Sequence, residues 1–204
     1  MSRSSVYSFA MLSAASRIAF CLLVAVPPAA IAQTTPAQTT PAPAASPATV
    51  ENQQSFTVVG MTVRTNNAAE AGGQGQIPQL WQRVMSANLL DQIPNRAGSD
   101  LVVVYSDYAS DNNGDYNCTL GVPVLSVGKL PDGFVAKTIQ AGRYAVFTSD
   151  QGPPEQVVPA LWMRIARLTP AELGGTRAYQ TDFEIYPADS SPDSLQMTAH
   201  VGLK

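Results

Sequence analysis

The hydrophobic positions of the chain fall into runs with two different periods. Residues 56–65 (FTVVGMTVRT), 101–108 (LVVVYSDY), 116–124 (YNCTLGVPV), 144–148 (YAVFT), 178–186 (AYQTDFEIY) and 194–203 (SLQMTAHVGL) are rich in β-branched and aromatic residues, which predicts strands. Between the first two runs, Ile77, Leu80, Trp81, Val84 and Ala87 recur at helical spacing and define one apolar face; Val158, Leu161, Trp162, Ile165 and Leu168 do the same later. Pro78 and Pro159 suit a first helical turn, where a missing N–H costs little, with an extra turn before Pro159 left open. Pro94 and Thr169-Pro170 are expected to stop the two helices. Polar segments 109–115 (ASDNNGD) and 187–193 (PADSSPD) read as hairpin connections. Asn113-Gly114 is a turn signal, and Asp111 to Asp115 lack the alternating acids and distant Glu of a calcium loop.

These elements repeat. At an offset of 81, Pro78-Gln-Leu-Trp-Gln-Arg-Val84 falls on Pro159-Ala-Leu-Trp-Met-Arg-Ile165, Val102 to Tyr105 falls on Phe183 to Tyr186, and Leu120-Gly121 falls on Val201-Gly202. Gly60 and Gly142 align after one inserted residue. One offset shared by separate segments predicts two copies of a single unit. The expected fold class is α+β: a duplicated strand-helix-strand-strand unit forming an antiparallel sheet with two helices.

The N-terminus has a different pattern. Arg3 and Arg17 are the only charges in residues 1–32, and an apolar stretch from Ile18 to Ile31 ends on Ala30-Ile31-Ala32. A basic region, a short apolar core and small residues before the cut predict a cleavable signal peptide, with cleavage after Ala32 and delivery to the periplasm or beyond in a Gram-negative bacterium. The core falls short of the about 20 residues a bilayer requires, and Pro27-Pro28 interrupt it, so no stable membrane insertion is expected after cleavage. An uncleaved anchor is the alternative. Phe20 ahead of Cys21 argues against a lipobox. Residues 33–53 (QTTPAQTTPAPAASPATVENQ) lack apolar bulk and are expected to form a disordered tether. That leaves 54–204 as the folded domain, with repeats about 54–128 and 129–204.

Cleavage removes Arg3 and Arg17, which takes the formal charge from −3 to −5 and leaves Cys118 as the one cysteine. The fold therefore cannot contain an internal disulfide. An acidic chain without a basic cluster is a poor partner for phosphate backbones, so no nucleic acid is expected.

Among residues with chemical potential, Glu184 stands out. It lies mid-strand, on the face opposite Phe183 and Ile185 and alongside Asp182 and Tyr186. Its counterpart in the first repeat is Val103, which suggests partial burial, and a buried carboxylate needs a partner. That partner is either a neighbouring Arg or tyrosine hydroxyl in a structural role, or a ligand cation. Tyr105 and Tyr186 share the Glu184 side of their strands, where aromatic faces could box an organic cation. Trp81 and Trp162 lie on apolar helix faces, as core residues or as walls of a cleft. His200 and Cys118 read as structural strand residues. No second His or Cys completes a metal set, no cofactor is implied, and no nucleophile motif is present.

The duplicated unit, the paired Trp helices, the run Tyr105-Ser-Asp-Tyr-Ala-Ser-Asp-Asn-Asn-Gly-Asp-Tyr116, the strand Ala141-Gly-Arg-Tyr-Ala-Val-Phe147 and the segment Asp182-Phe-Glu-Ile-Tyr186 resemble GyrI-like, AraC-type effector-binding domains over residues 54–204. The branch they are most similar to is that of the integron-cassette effector-binding proteins. The resemblance implies a central cleft between the repeats that takes amphipathic, often cationic, small molecules, with Glu184 as the pocket acid and Tyr186, Tyr105, Trp81 and Trp162 around it. Such domains are commonly fused to DNA-binding helices; here no helix-turn-helix segment is legible and an export signal is. The function expected is non-enzymatic binding of a small amphipathic ligand. The alternatives are hydrolysis of a strained or electrophilic molecule with Glu184 as general base, and inhibition of a protein partner.

Overall fold

The computed structural model describes residues 48–191 and 193–204. The expected signal peptide and most of the expected tether lie outside the described residues. The elements run β1 (Thr49–Gln53), β2 (Phe56–Thr65), α1 (Asn67–Ala71), α2 (Ile77–Ser86), a 3-10 turn (Leu89–Gln92), β3 (Leu101–Ser106), β4 (Tyr116–Val124), β5 (Phe134–Ile139), β6 (Gly142–Thr148), α3 (Pro154–Ala166), α4 (Pro170–Leu173), β7 (Arg177–Tyr186) and β8 (Thr198–Leu203). The strands form one antiparallel sheet in the order β1-β6-β8-β7-β3-β4-β2-β5. The fold is α+β, as the patterning indicates.

This order is a palindrome of the repeat. Exchanging β3 with β7, β4 with β8, β2 with β6 and β5 with β1 returns the same sheet, so a pseudo-two-fold axis passes between β3 and β7. The register places that axis on one residue pair. Val103 faces Glu184, while Leu101 faces Tyr186 and Tyr105 faces Asp182. Val103 and Glu184 are the two positions related by the offset of 81, so each sits opposite its own counterpart.

Both helices cover one face of the sheet. Leu80 and Val84 of α2 pack with Val59, Met61, Val103, Leu120 and Phe134, and Leu161 and Ile165 of α3 pack with Ala145, Phe147, Ala199 and Val201. On the other face Val58, Val102, Val104, Ile139, Tyr144 and Phe183 form a third cluster. His200 belongs on that side, stacked on Phe183 at a centroid distance of 4.3 Å. Gly60 and Gly121 face each other across β2 and β4. A Cβ on Gly60 would lie 2.1 Å from the Leu120 carbonyl oxygen, so glycine is required for this close approach.

Four features depart from the sequence expectation. First, residues 49–53 are not tether: they form β1, which pairs with β6 from Thr49↔Val146 to Gln53↔Gly142, and Ala48 packs against the α3 core. Cross-strand bonding supplies an order that Thr49-Val-Glu-Asn-Gln53 lacks on its own. Second, Phe134–Ile139 forms a strand, β5, on β2. Each repeat thus begins with a strand that edges the other repeat, and the unit is strand-strand-helix-strand-strand. Third, two short helices are added: α1, capped by the Asn66 side chain on the Ala69 N–H, and α4, which Thr169-Pro170 begins with Thr169 as its cap. Fourth, Pro159 lies inside α3 rather than in its first turn. The helix starts five residues earlier, at Pro154, whose fixed φ and absent N–H suit that position.

Because β1 is part of the sheet, a chain starting at Gln54 should melt roughly 5 °C or more below one starting at Gln33 in a thermal-unfolding comparison. Equal midpoints would show that β1 contributes nothing to stability.

Candidate functional site

Glu184 is fully buried on the helix-covered face, at the pseudo-two-fold axis. Its carboxylate accepts three hydrogen bonds. Tyr105 Oη donates to Oε1 at 3.2 Å, the Trp162 indole N–H donates to the same oxygen, and Tyr186 Oη donates to Oε2 at 2.9 Å. The two tyrosines are counterparts in the two repeats and approach the carboxylate from its two sides. The indoles follow the same symmetry. Trp162 packs edge-on against Tyr105 at 5.5 Å, and Trp81 packs against Tyr186 at 5.2 Å. Of the five residues singled out in the sequence, Tyr105, Tyr186 and Trp162 meet at the Glu184 carboxylate, and Trp81 adjoins them through the Tyr186 ring.

The donors to Glu184 are neutral, and among the described residues no cation forms an ion pair with it. Burial disfavours its charge more than the three hydrogen bonds favour it, and its pKa is pushed up to about 7. The hydroxyls of Tyr105 and Tyr186 stay protonated donors, since burial and the neighbouring carboxylate push both pKa values well up.

A second polar centre adjoins this one. Asp182 is fully buried; it accepts from Tyr108 Oη at 2.7 Å and from the Gly202 N–H at 2.9 Å, and pairs with Arg177 Nη2 at 2.6 Å. The Arg177 guanidinium lies 4.6 Å from the Tyr179 ring centroid, 5.6 Å from Trp162 and 5.9 Å from Tyr108, and donates to Asn112 Oδ1 at 2.9 Å. Burial works against that charge, but Asp182 and the tyrosines outweigh it and hold the guanidinium firmly protonated. Trp162 joins the two centres, with its N–H on Glu184 and its ring beside Arg177. Tyr116 extends the wall, 5.7 Å from Tyr105 and 5.5 Å from Tyr108.

The sequence pattern did not single out Arg177, Asp182, Tyr108, Tyr116 or Tyr179 as site residues. Strict alternation along β7 puts Arg177 on the Phe183 face, away from Asp182. A register shift intervenes: Arg177 faces Leu203 while Asp182 faces Val201, and Tyr179 has φ 52°. The irregularity advances β7 by an odd number of residues relative to β8, which turns Arg177 onto the site face. An aromatic at left-handed φ leaves no mark in composition, although Gly174-Gly175 just upstream signals irregular backbone.

The remaining candidates are structural. Cys118 is buried with its thiol pKa pushed well up, so it remains a thiol. Burial lowers the His200 pKa to about 4, which leaves a neutral ring on Phe183. Among the described residues no group of His, Cys, Asp or Glu could hold a metal ion. Chemically, the site offers one carboxylate that titrates near neutrality. No second acid stands opposite it, because Val103 holds that position.

The raised pKa fixes the sign of a stability effect. In the unfolded chain Glu184 gives up its proton near the ordinary glutamate value of 4.5; folded, it keeps the proton up to about 7. Between those values the folded state binds more protons, so stability falls as pH rises through that window and levels off above it. The loss is on the order of 3 kcal/mol. Denaturant titrations at pH 5 and pH 8 should show a drop that Glu184→Gln abolishes; an equal drop in the variant would assign it to other groups.

Residues 49–200 match the family model described as integron-associated effector binding protein, Cass2. A Bacillus subtilis protein, YobU, described as a candidate transcriptional regulator, is 33% identical over 150 residues, covering 71% of this chain and 90% of its own. Among solved structures, an integron cassette protein from the mobile metagenome of Vibrio cholerae superposes with a TM-score of 0.63 at 24% identity, covering 78% of this chain and 97% of its own. The protein SAV2435, solved with bound tetraphenylphosphonium, gives a TM-score of 0.61 at 17% identity, with coverages of 77% and 93%. A shared sheet, a duplicated unit and a family match over three quarters of the sequence lead to one conclusion: this chain belongs to the integron-associated effector binding protein family.

Proposed function

We propose that this protein is an exported, non-enzymatic binder of an amphipathic organic monocation, which it holds between the two repeats with its positive centre against Glu184. One observation carries this reading. Glu184 is a fully buried carboxylate served by neutral donors alone, inside a shell of aromatic rings. Asp182 next to it has a cation, Arg177; among the described residues Glu184 has none. A delocalised or alkylated cation matches that imbalance, because it loses little hydration on entry and gains both the carboxylate and the ring faces. An effector-binding fold and a structural relative bound to tetraphenylphosphonium agree with it. Since Glu184 is closed to solvent in this structure, a ligand must part the aromatic cover, and the Trp162–Glu184 bond is the contact it would replace.

Glu184→Gln keeps the shape and removes the charge. Binding of tetraphenylphosphonium, followed by fluorescence of Trp81 and Trp162, should weaken by roughly 1.5–3 kcal/mol, the scale of two unit charges several ångströms apart in a partly screened protein site. Unchanged affinity in the variant, or no binding by the wild type, contradicts the reading.

Export is supported by the basic start, short apolar core and Ala30-Ile31-Ala32 site of residues 1–32. N-terminal sequencing of the protein recovered from the periplasm should begin at Gln33. A start at Met1 or Cys21 overturns the export route proposed.

A further inference from the structure

The aromatic shell has two compartments that share Trp162. The inner one holds Glu184 with Tyr105, Tyr186 and Trp81. The outer one is built of Tyr108, Tyr179 and the Trp162 ring, and it already contains a cation, the guanidinium of Arg177. That guanidinium is held in place on several sides. Asp182 pairs with it at 2.6 Å from a fully buried position, Asn112 of the β3–β4 connection accepts its Nη1 at 2.9 Å, and its side chain is 13% exposed. The strand irregularity at Tyr179 is what turns it inward. Of the two fully buried carboxylates at these centres, Asp182 is matched by Arg177, and among the described residues Glu184 has no cation.

We propose that Arg177 is the selectivity residue of the ligand site: it fills the outer aromatic compartment from within, so that the site accepts a ligand with one positive centre and rejects one that brings a second. The proposal rests on the reading of Glu184 as the ligand's counter-ion. A monocation over Glu184 leaves the protein's own cation in place and the site neutral. A dication long enough to reach both compartments meets the Arg177 charge where water is scarce, and like charges there repel strongly. The cation–π faces it could have used are occupied as well. Arg177 thus acts as a built-in competitor for the second position.

The test uses the mature chain and a charge-neutral double variant, Arg177→Gln with Asp182→Asn. Losing Arg177 alone would strand a buried carboxylate, whereas an asparagine in place of Asp182 can still accept from the Gly202 N–H and donate to Tyr108. Both proteins are titrated with tetraphenylphosphonium and with a bis-phosphonium carrying two triphenylphosphonium centres on a short alkyl bridge. The wild type should favour the monocation by at least about tenfold, and the double variant should bring the two ligands to within roughly threefold of each other. Should the Gln/Asn pair fail to fold, an apolar pair, Arg177→Met with Asp182→Leu, takes its place; Leu101 is the counterpart of Asp182 in the first repeat. Equal selectivity in wild type and variant overturns the role of Arg177 and leaves the Glu184 reading standing. Binding by the variant but not by the wild type supports the obstruction by Arg177 and removes the proposed function of the native protein. Failure of both proteins to bind either ligand overturns both readings.

Discussion

The structure of the site depends on one fully buried carboxylate, Glu184, that no side-chain cation among the described residues matches. Burying Glu184 in its ionised form costs free energy, and hydrogen-bond donors or a cation at the carboxylate offset that cost. The chain supplies three donors: Tyr186 and Trp162 from the same repeat, and Tyr105 from the other, across the β3–β7 pairing that joins them. Burial still wins, as the elevated pKa shows. The carboxylate is thus held in place yet left electrostatically incomplete, which is the condition under which an incoming cation has most to offer.

Duplication explains why there is one such group and not two. The axis of the sheet runs through the pair Val103 and Glu184, so a residue at this position faces its own counterpart. Glutamates at both positions would set two buried like charges side by side, and only one could ionise. With Val103 opposite, Glu184 has the centre to itself, while the residues one step away obey the symmetry: Tyr105 with Tyr186, Trp81 with Trp162. Two symmetric aromatic pairs thus surround an asymmetric charge. The strands β1 and β5 reinforce the arrangement by each edging the opposite repeat.

Much of this was legible in the sequence because it rests on local periodicity. The offset of 81 placed the two helices, the central strands and the equivalence of Val103 with Glu184, and alternation put Tyr186 on the Glu184 side. What escaped depends on non-local bonding. Thr49–Gln53 looks like tether by composition and becomes a strand because β6 offers it an edge. Arg177 sits at the wrong parity for the site, and only the irregular backbone around Tyr179 brings it to Asp182. Pro159 reads as a helix start, but Pro154 supplies an earlier one.

The central claim is that a ligand cation takes the role of counter-ion to Glu184. It is tested most directly by proton release. A cation that settles on a carboxylate titrating near 7 favours the ionised form, so binding between pH 6 and 7 must expel part of a proton. Calorimetric titration of tetraphenylphosphonium in buffers of different ionisation enthalpy measures that proton. The account predicts release from the wild type that disappears in Glu184→Gln. Binding without proton release, or release that persists in the variant, would contradict it.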